Sequence, residues 1–133
     1  MKNLVFGLLA LSLAVFAAPS ANAQTQPAKK AQWKEMHDFH EVMSGTFHPA
    51  EEKNFAPLKE KSGLLVERAK AWKKSAVPAG YKPEMTSDVL KRLVKQCSKV
   101  HKMVKKGKPD AELLAGIGTA HDIFHEIMEK CRE

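Results

Sequence analysis

The chain has 133 residues, 44% hydrophobic and 28% charged, with a formal net charge of +7. This length suits a single domain around one modest core. The basic excess is spread along the chain rather than gathered, so nucleic acid is not an expected partner.

The chain opens with "MKNLVFGLLALSLAVFAAPSANA", one lysine followed by an apolar run and Ala21-Asn22-Ala23. That is the layout of a secretory signal peptide over residues 1–23, with an A-x-A cleavage site, and the run is too short to span a bilayer. The mature protein is expected to start at Gln24 and to be periplasmic or secreted, with no membrane insertion. Residues 24–30, "QTQPAKK", are polar and are expected to be disordered. Residues 31–133 hold four segments of helical spacing.

The first segment runs from about Ala31 to Phe47, where Trp33, Met36, His40, Met43 and Phe47 step by three and four. "HPAEEKN" reads as a turn. The second runs from about Asn54 to Lys74, on Phe55, Leu58, Ser62, Leu65, Ala69 and Trp72. Asn54 suits its N-cap, and Pro57 is tolerable in a first turn. "SAVPAGYKPEMT", with two prolines and a glycine, reads as a long connection. Thr86 or Ser87 then caps a third helix carried by Leu90, Leu93, Cys97, Val100 and Val104. In "KKGKPD", Gly107 stops that helix and Pro109-Asp110 starts the next. The fourth shows Leu114, Ile117, His121, Phe124, Met128 and Cys131. No segment alternates with period two. The expected fold is all-α, an antiparallel up-down-up-down four-helix bundle.

The first and fourth segments share a polar phrase. "HDFHEVM" spans His37 to Met43, and "HDIFHEIM" spans His121 to Met128. At about 100° per residue, His40 lies roughly 50° and His37 roughly 110° from the centre of the first apolar stripe. On the fourth helix His121 lies roughly 60° and His125 roughly 100° from the centre, on the same-handed flank. In antiparallel neighbours such flanks face each other. The expected levels pair His125 with His37 and His121 with His40, to within a turn.

His37, His40, His121 and His125 are therefore the candidate metal ligands. Histidines at i, i+3 and i, i+4 share a helix face. Imidazole suits zinc and copper, and also nickel and iron. The following acids, Asp38, Glu41, Asp122 and Glu126, point mainly outward, and Met36, Met43 and Met128 serve the core. His48 and His101 are candidates for a second, weaker site. Cys97 and Cys131 lie too far apart along the axis for a disulfide. "KVHKMVKKGKP" (99–109) reads as a solvated helix end, with an anionic partner site as the alternative. There is no CxxCH, HExxH, GxSxG or Gly-rich phosphate loop, and no nucleophile–base pair, so an enzyme is not expected.

The connection "VPAGYKPEM" and the turn "KKGKPDAELL" resemble the secreted four-helix cytochromes, cytochrome c-prime and its soluble b-type relatives. "IGTAHDIF" (117–124) resembles the c-prime attachment site, with His121 in the axial position. Ile117 and Ala120 stand where that family has its two cysteines, so the resemblance carries no covalent haem. By position, the b-type axial pair would be Met36 and His125. The resemblance thus implies haem b as an alternative cofactor and an electron carrier as an alternative role. The main reading is a metal-binding bundle for storage, buffering or sensing. A cofactor-free interaction bundle, monomer or homodimer, is the third.

Overall fold

The structure, a computed structural model, describes residues 32–133. The expected signal peptide and the polar segment 24–30 lie outside the described residues. Four helices follow one another: α1 Lys34–Glu51, α2 Ala56–Lys74, α3 Pro83–Lys105 and α4 Asp110–Lys130. Each packs on its neighbours in the chain, and α1 also meets α4, more loosely. This is the all-α four-helix bundle that the spacing predicts, and among the described residues no helix is long and apolar enough to cross a membrane.

Local chemistry moves three of the expected helix ends. Trp33 is extended, so α1 starts at Lys34 rather than Ala31. It also continues through His48 and Pro49 to Glu51. Pro49 sits in the last turn, where its missing N–H leaves only the Gly45 carbonyl without a bond. The end is then closed by Lys53 N–H to the Ala50 carbonyl (3.0 Å) and Asn54 N–H to the Pro49 carbonyl (2.8 Å). That pair of bonds needs a left-handed residue, and Lys53 supplies it at φ 66°. α3 ends the same way with Gly107 at φ 64°, where Gly107 and Lys108 donate to the Val104 and Met103 carbonyls. α3 begins a turn earlier than the expected Thr86 cap, because Pro83 has φ pre-set for a first helical turn. The Thr86 hydroxyl donates back to the Lys82 carbonyl at 2.7 Å. Asn54 accepts from Ala56 N–H at 3.3 Å, although the helical turn starts beyond Phe55.

The core is a run of side chains from all four helices. Two stripes are rotated from expectation. On α1 the buried residues are Met36, Phe39, Met43, Thr46, Phe47 and Ala50, and His40 is exposed. On α4 they are Leu113, Gly116, Ile117, Ala120, Phe124 and Ile127, leaving Leu114, His121 and Met128 half-buried. One end of the bundle is sealed by aromatics. The Trp33 ring meets Trp72 at 5.6 Å and Tyr81 at 5.2 Å, and its Nε1 donates to Ser75 Oγ at 2.8 Å. Trp72 is fully buried against Phe39 and Phe124. Burial of each such side chain contributes roughly 1.5–3 kcal/mol. The C-terminal residues close the same end. Lys82 N–H donates to the Cys131 carbonyl (2.8 Å) and Glu133 N–H to the Gly80 carbonyl (3.0 Å).

Candidate metal centre

The loose α1–α4 boundary is filled by rings rather than by aliphatic side chains. His121 stacks on Phe47 with centroids 4.1 Å apart and planes 20° from parallel. His40 lies flat on Phe124, at 5.1 Å and 8°. Phe124 in turn meets His125 edge-on at 5.5 Å. Histidines thus sit on the flank beside the buried stripe, where a ring can lean on the core and keep its nitrogens toward water.

The decisive pair is on α4. His121 and His125 are one helical turn apart, and their Nε2 atoms face each other at 3.2 Å. Two nitrogens bound to one tetrahedral ion at about 2.0–2.1 Å are themselves about 3.3 Å apart. The pair therefore already has nearly the bite that such an ion needs.

His48 joins this pair from α1. Its ring centroid is 6.0 Å from that of His121. His48 Nδ1 lies 3.0 Å from Glu51 Oε2, and His125 Nδ1 lies 3.6 Å from Glu129 Oε1. At hydrogen-bond distance the Glu51 carboxylate orients the His48 ring and leaves its other nitrogen free for a cation, whereas the Glu129 contact is too long for a hydrogen bond. His48 is also in the last turn of α1, where the helix dipole favours positive charge. The side chains of His48 and His125 are 57% and 48% exposed, so an ion could enter and leave without the bundle opening.

The charge state suits ligation. Burial, then the neighbouring His125 and His48, hold the His121 pKa below its ordinary value. His121 is thus neutral at pH 7, and only a neutral imidazole has a lone pair to give.

The four expected ligands are placed unequally. His121 and His125 are brought together. His40 is one ring away, across Phe124. His37 is exposed and takes part in no ring contact among the described residues. The expected level pairing is displaced: His121 lies beside Phe47 and His48, seven to eight residues on from His40, which is about two turns or roughly 10–12 Å along α1. His48, expected only as a candidate for a second, weaker site, is the α1 histidine that meets His121. Among the described residues, no set of three or more His, Cys, Asp or Glu is already closed around an ion position. For an ion held by the His121–His125 pair, a third ligand would have to come from a rotamer change of His48 or from water.

The other candidates stand apart. His101 Nδ1 lies 2.9 Å from Ser62 Oγ, clamping α3 to α2 above Gly63. Cys97 and Cys131 are both free and buried. Burial pushes the Cys97 thiol up to about 12, so it stays protonated and acts as a small hydrophobe. The Met36 sulfur accepts from the Tyr81 hydroxyl at 3.8 Å, while His125 turns to His121 on the exposed flank. Phe39, Trp72 and Phe124 pack on one another in the core. These residues do not fit a haem clamped between Met36 and His125.

Comparison with protein families, with curated proteins and with solved structures gives no match for this chain.

Proposed function

We propose that this protein is an exported metal-binding four-helix bundle that holds one transition-metal ion on its α1–α4 boundary. Its role is storage, buffering or sensing. The observation that carries the reading is the 3.2 Å separation of the His121 and His125 Nε2 atoms, a tetrahedral bite formed in advance. His121 and His125 are the primary ligands. His48 supplies the third nitrogen, and water or His40 completes the shell. Zinc and copper are the ions expected for this nitrogen donor set, followed by nickel and iron. Half-exposed ligands suit exchange with the surroundings better than permanent structural closure.

A second reading has a specific basis. The same 3.2 Å also serves a hydrogen bond between two neutral imidazoles, one donating to the other. On that reading the bundle is a cofactor-free interaction module.

Metal titration separates the two. Zinc or copper binding to the protein is followed by calorimetry and elemental analysis, beside His121→Ala, His125→Ala, His48→Ala and His37→Ala. The metal reading expects binding to be lost in the first two, weakened about 10–100-fold in His48→Ala, and unchanged in His37→Ala. Equal metal content in the wild type and in His121→Ala/His125→Ala sinks it in favour of the interaction module.

A further inference from the structure

Between Asp88 and Asp110 the chain has no acidic residue and eight lysines or arginines. This stretch is most of α3. Its buried face carries Leu90, Leu93, Cys97 and Val100. At about 100° per residue, Lys91, Arg92, Lys95, Lys99, Lys102 and Lys105 spread over an arc of about 140° centred directly opposite that face. All six are exposed. Lys91 pairs with Asp88 and Arg92 with Glu126. Lys95, Lys99, Lys102 and Lys105 form no ion pair among the described residues.

This arrangement works against the helix itself. Lys91–Lys95, Lys95–Lys99, Lys99–Lys102 and Lys102–Lys105 are like-charge neighbours at i, i+3 or i, i+4, and such pairs destabilise a helix. The macrodipole compensates only in the last turn, so Lys91, Lys95 and Lys99 gain nothing from it. Solvation alone would be served as well by mixed signs, as on α2, which carries Lys59, Glu60, Lys61, Glu67 and Arg68.

The shape of the ridge selects the partner. It runs along one helix for roughly 20 Å at about 1.5 Å per residue. It carries no aromatic ring to stack on a base, and one arginine to reach a base edge, so it lacks the means to read nucleic acid. Lysines presented as separate point charges fit the diffuse field of a flat anionic surface. Met85, an exposed large hydrophobic at 45%, lies seven residues before Arg92 on nearly the same line of the helix, where it can enter the headgroup layer. α3 touches α2 and α4 and stands diagonal to α1.

We propose that α3 docks this protein on the phosphate headgroups of an anionic lipid bilayer. The contact is peripheral and electrostatic, and it leaves the α1–α4 histidines turned toward solution. It does not depend on whether those histidines bind metal.

The test uses protein starting at Gln24, which retains all four helices, and vesicles of equal parts phosphatidylglycerol and phosphatidylcholine. Cosedimentation is expected at about 20 mM salt and release at about 1 M, where the screening length falls to about 3 Å. Vesicles of phosphatidylcholine alone should not bind. Lys95→Gln/Lys99→Gln/Lys102→Gln should weaken binding on the order of a hundredfold. Lys70→Gln/Lys73→Gln/Lys74→Gln on α2, with the same net charge, should bind like the wild type. Circular dichroism checks that both variants remain helical, and single Lys99→Gln serves if the triple variant does not. Equal losses in the two triple variants would reduce the effect to net charge and overturn the proposal. So would failure of the wild type to bind at low salt, or retention of duplex DNA in place of vesicles.

Discussion

His121 concentrates the chemistry of this molecule in one side chain. It leans on Phe47, faces His125 through Nε2, and is held below its usual pKa first by burial and then by the two neighbouring imidazoles. A lowered histidine pKa has a definite sign in stability. The unfolded chain, with a reference value of 6.5, binds the proton more readily than the folded one. Stability is therefore full above that value, falls as the pH drops through it toward the folded pKa, and levels off below. In chelator-treated protein, the melting temperature should decline as the pH falls through the reference value of 6.5 toward the lower folded pKa, and His121→Gln should decline less. Parallel curves for the two would contradict the assignment. On the proposed metal reading, the same acidification should release the ion, because protons and cations compete for one lone pair.

At the scale of the element, two helix ends use the same hydrogen-bond pattern with different residues. Gly107 adopts φ 64° freely, whereas Lys53 at φ 66° bears the Cβ clash of a left-handed L-residue. Lys53→Gly should therefore stabilise the bundle by about 1 kcal/mol, and Gly107→Ala should destabilise it by about as much. Chemical denaturation with an unchanged slope is the measurement. An unstable Lys53→Gly variant would mean that the Lys53 side chain makes a compensating contact. These ends also show what was legible. Gly107 and Pro109 marked the α3–α4 turn from sequence because their backbone preferences are intrinsic. The end of α1 did not show, because a proline in a last turn and a lysine in a left-handed cap both run against local preference. They are held there by the packing of Phe47, Ala50 and Phe55 in the core.

For the whole molecule, stability depends on closing the aromatic end. Trp33, Trp72, Tyr81 and Cys131 bring together the start of α1, the end of α2, the connection to α3 and the chain after α4. Removing residues 131–133 deletes the bonds from Lys82 N–H and Glu133 N–H, and also the buried Cys131 side chain. At about 0.5–1.5 kcal/mol per hydrogen bond, with a small apolar side chain added, the truncated protein should lose about 2–4 kcal/mol. Thermal melting should show one cooperative transition at lower temperature. An unchanged midpoint would show that the tail does not seal the end.

Periodicity alone determined the number of helices, their order and the all-α class, because burying an apolar stripe is a local pattern that any partner surface satisfies. It also put His40, His121 and His125 beside the α1–α4 boundary, since angular position follows from residue number, but His37 is exposed and takes part in no ring contact among the described residues. Height did not follow. α1 enters its helix only beyond the extended Trp33, and the Cys131 and Glu133 bonds tie the end of α4 to the connection before α3. Those are long-range contacts with no signature in the residues they displace. The tertiary structure therefore decided that His48, rather than His37, stands beside the His121–His125 pair. A register difference of about two turns sets His48 rather than His40 beside His121.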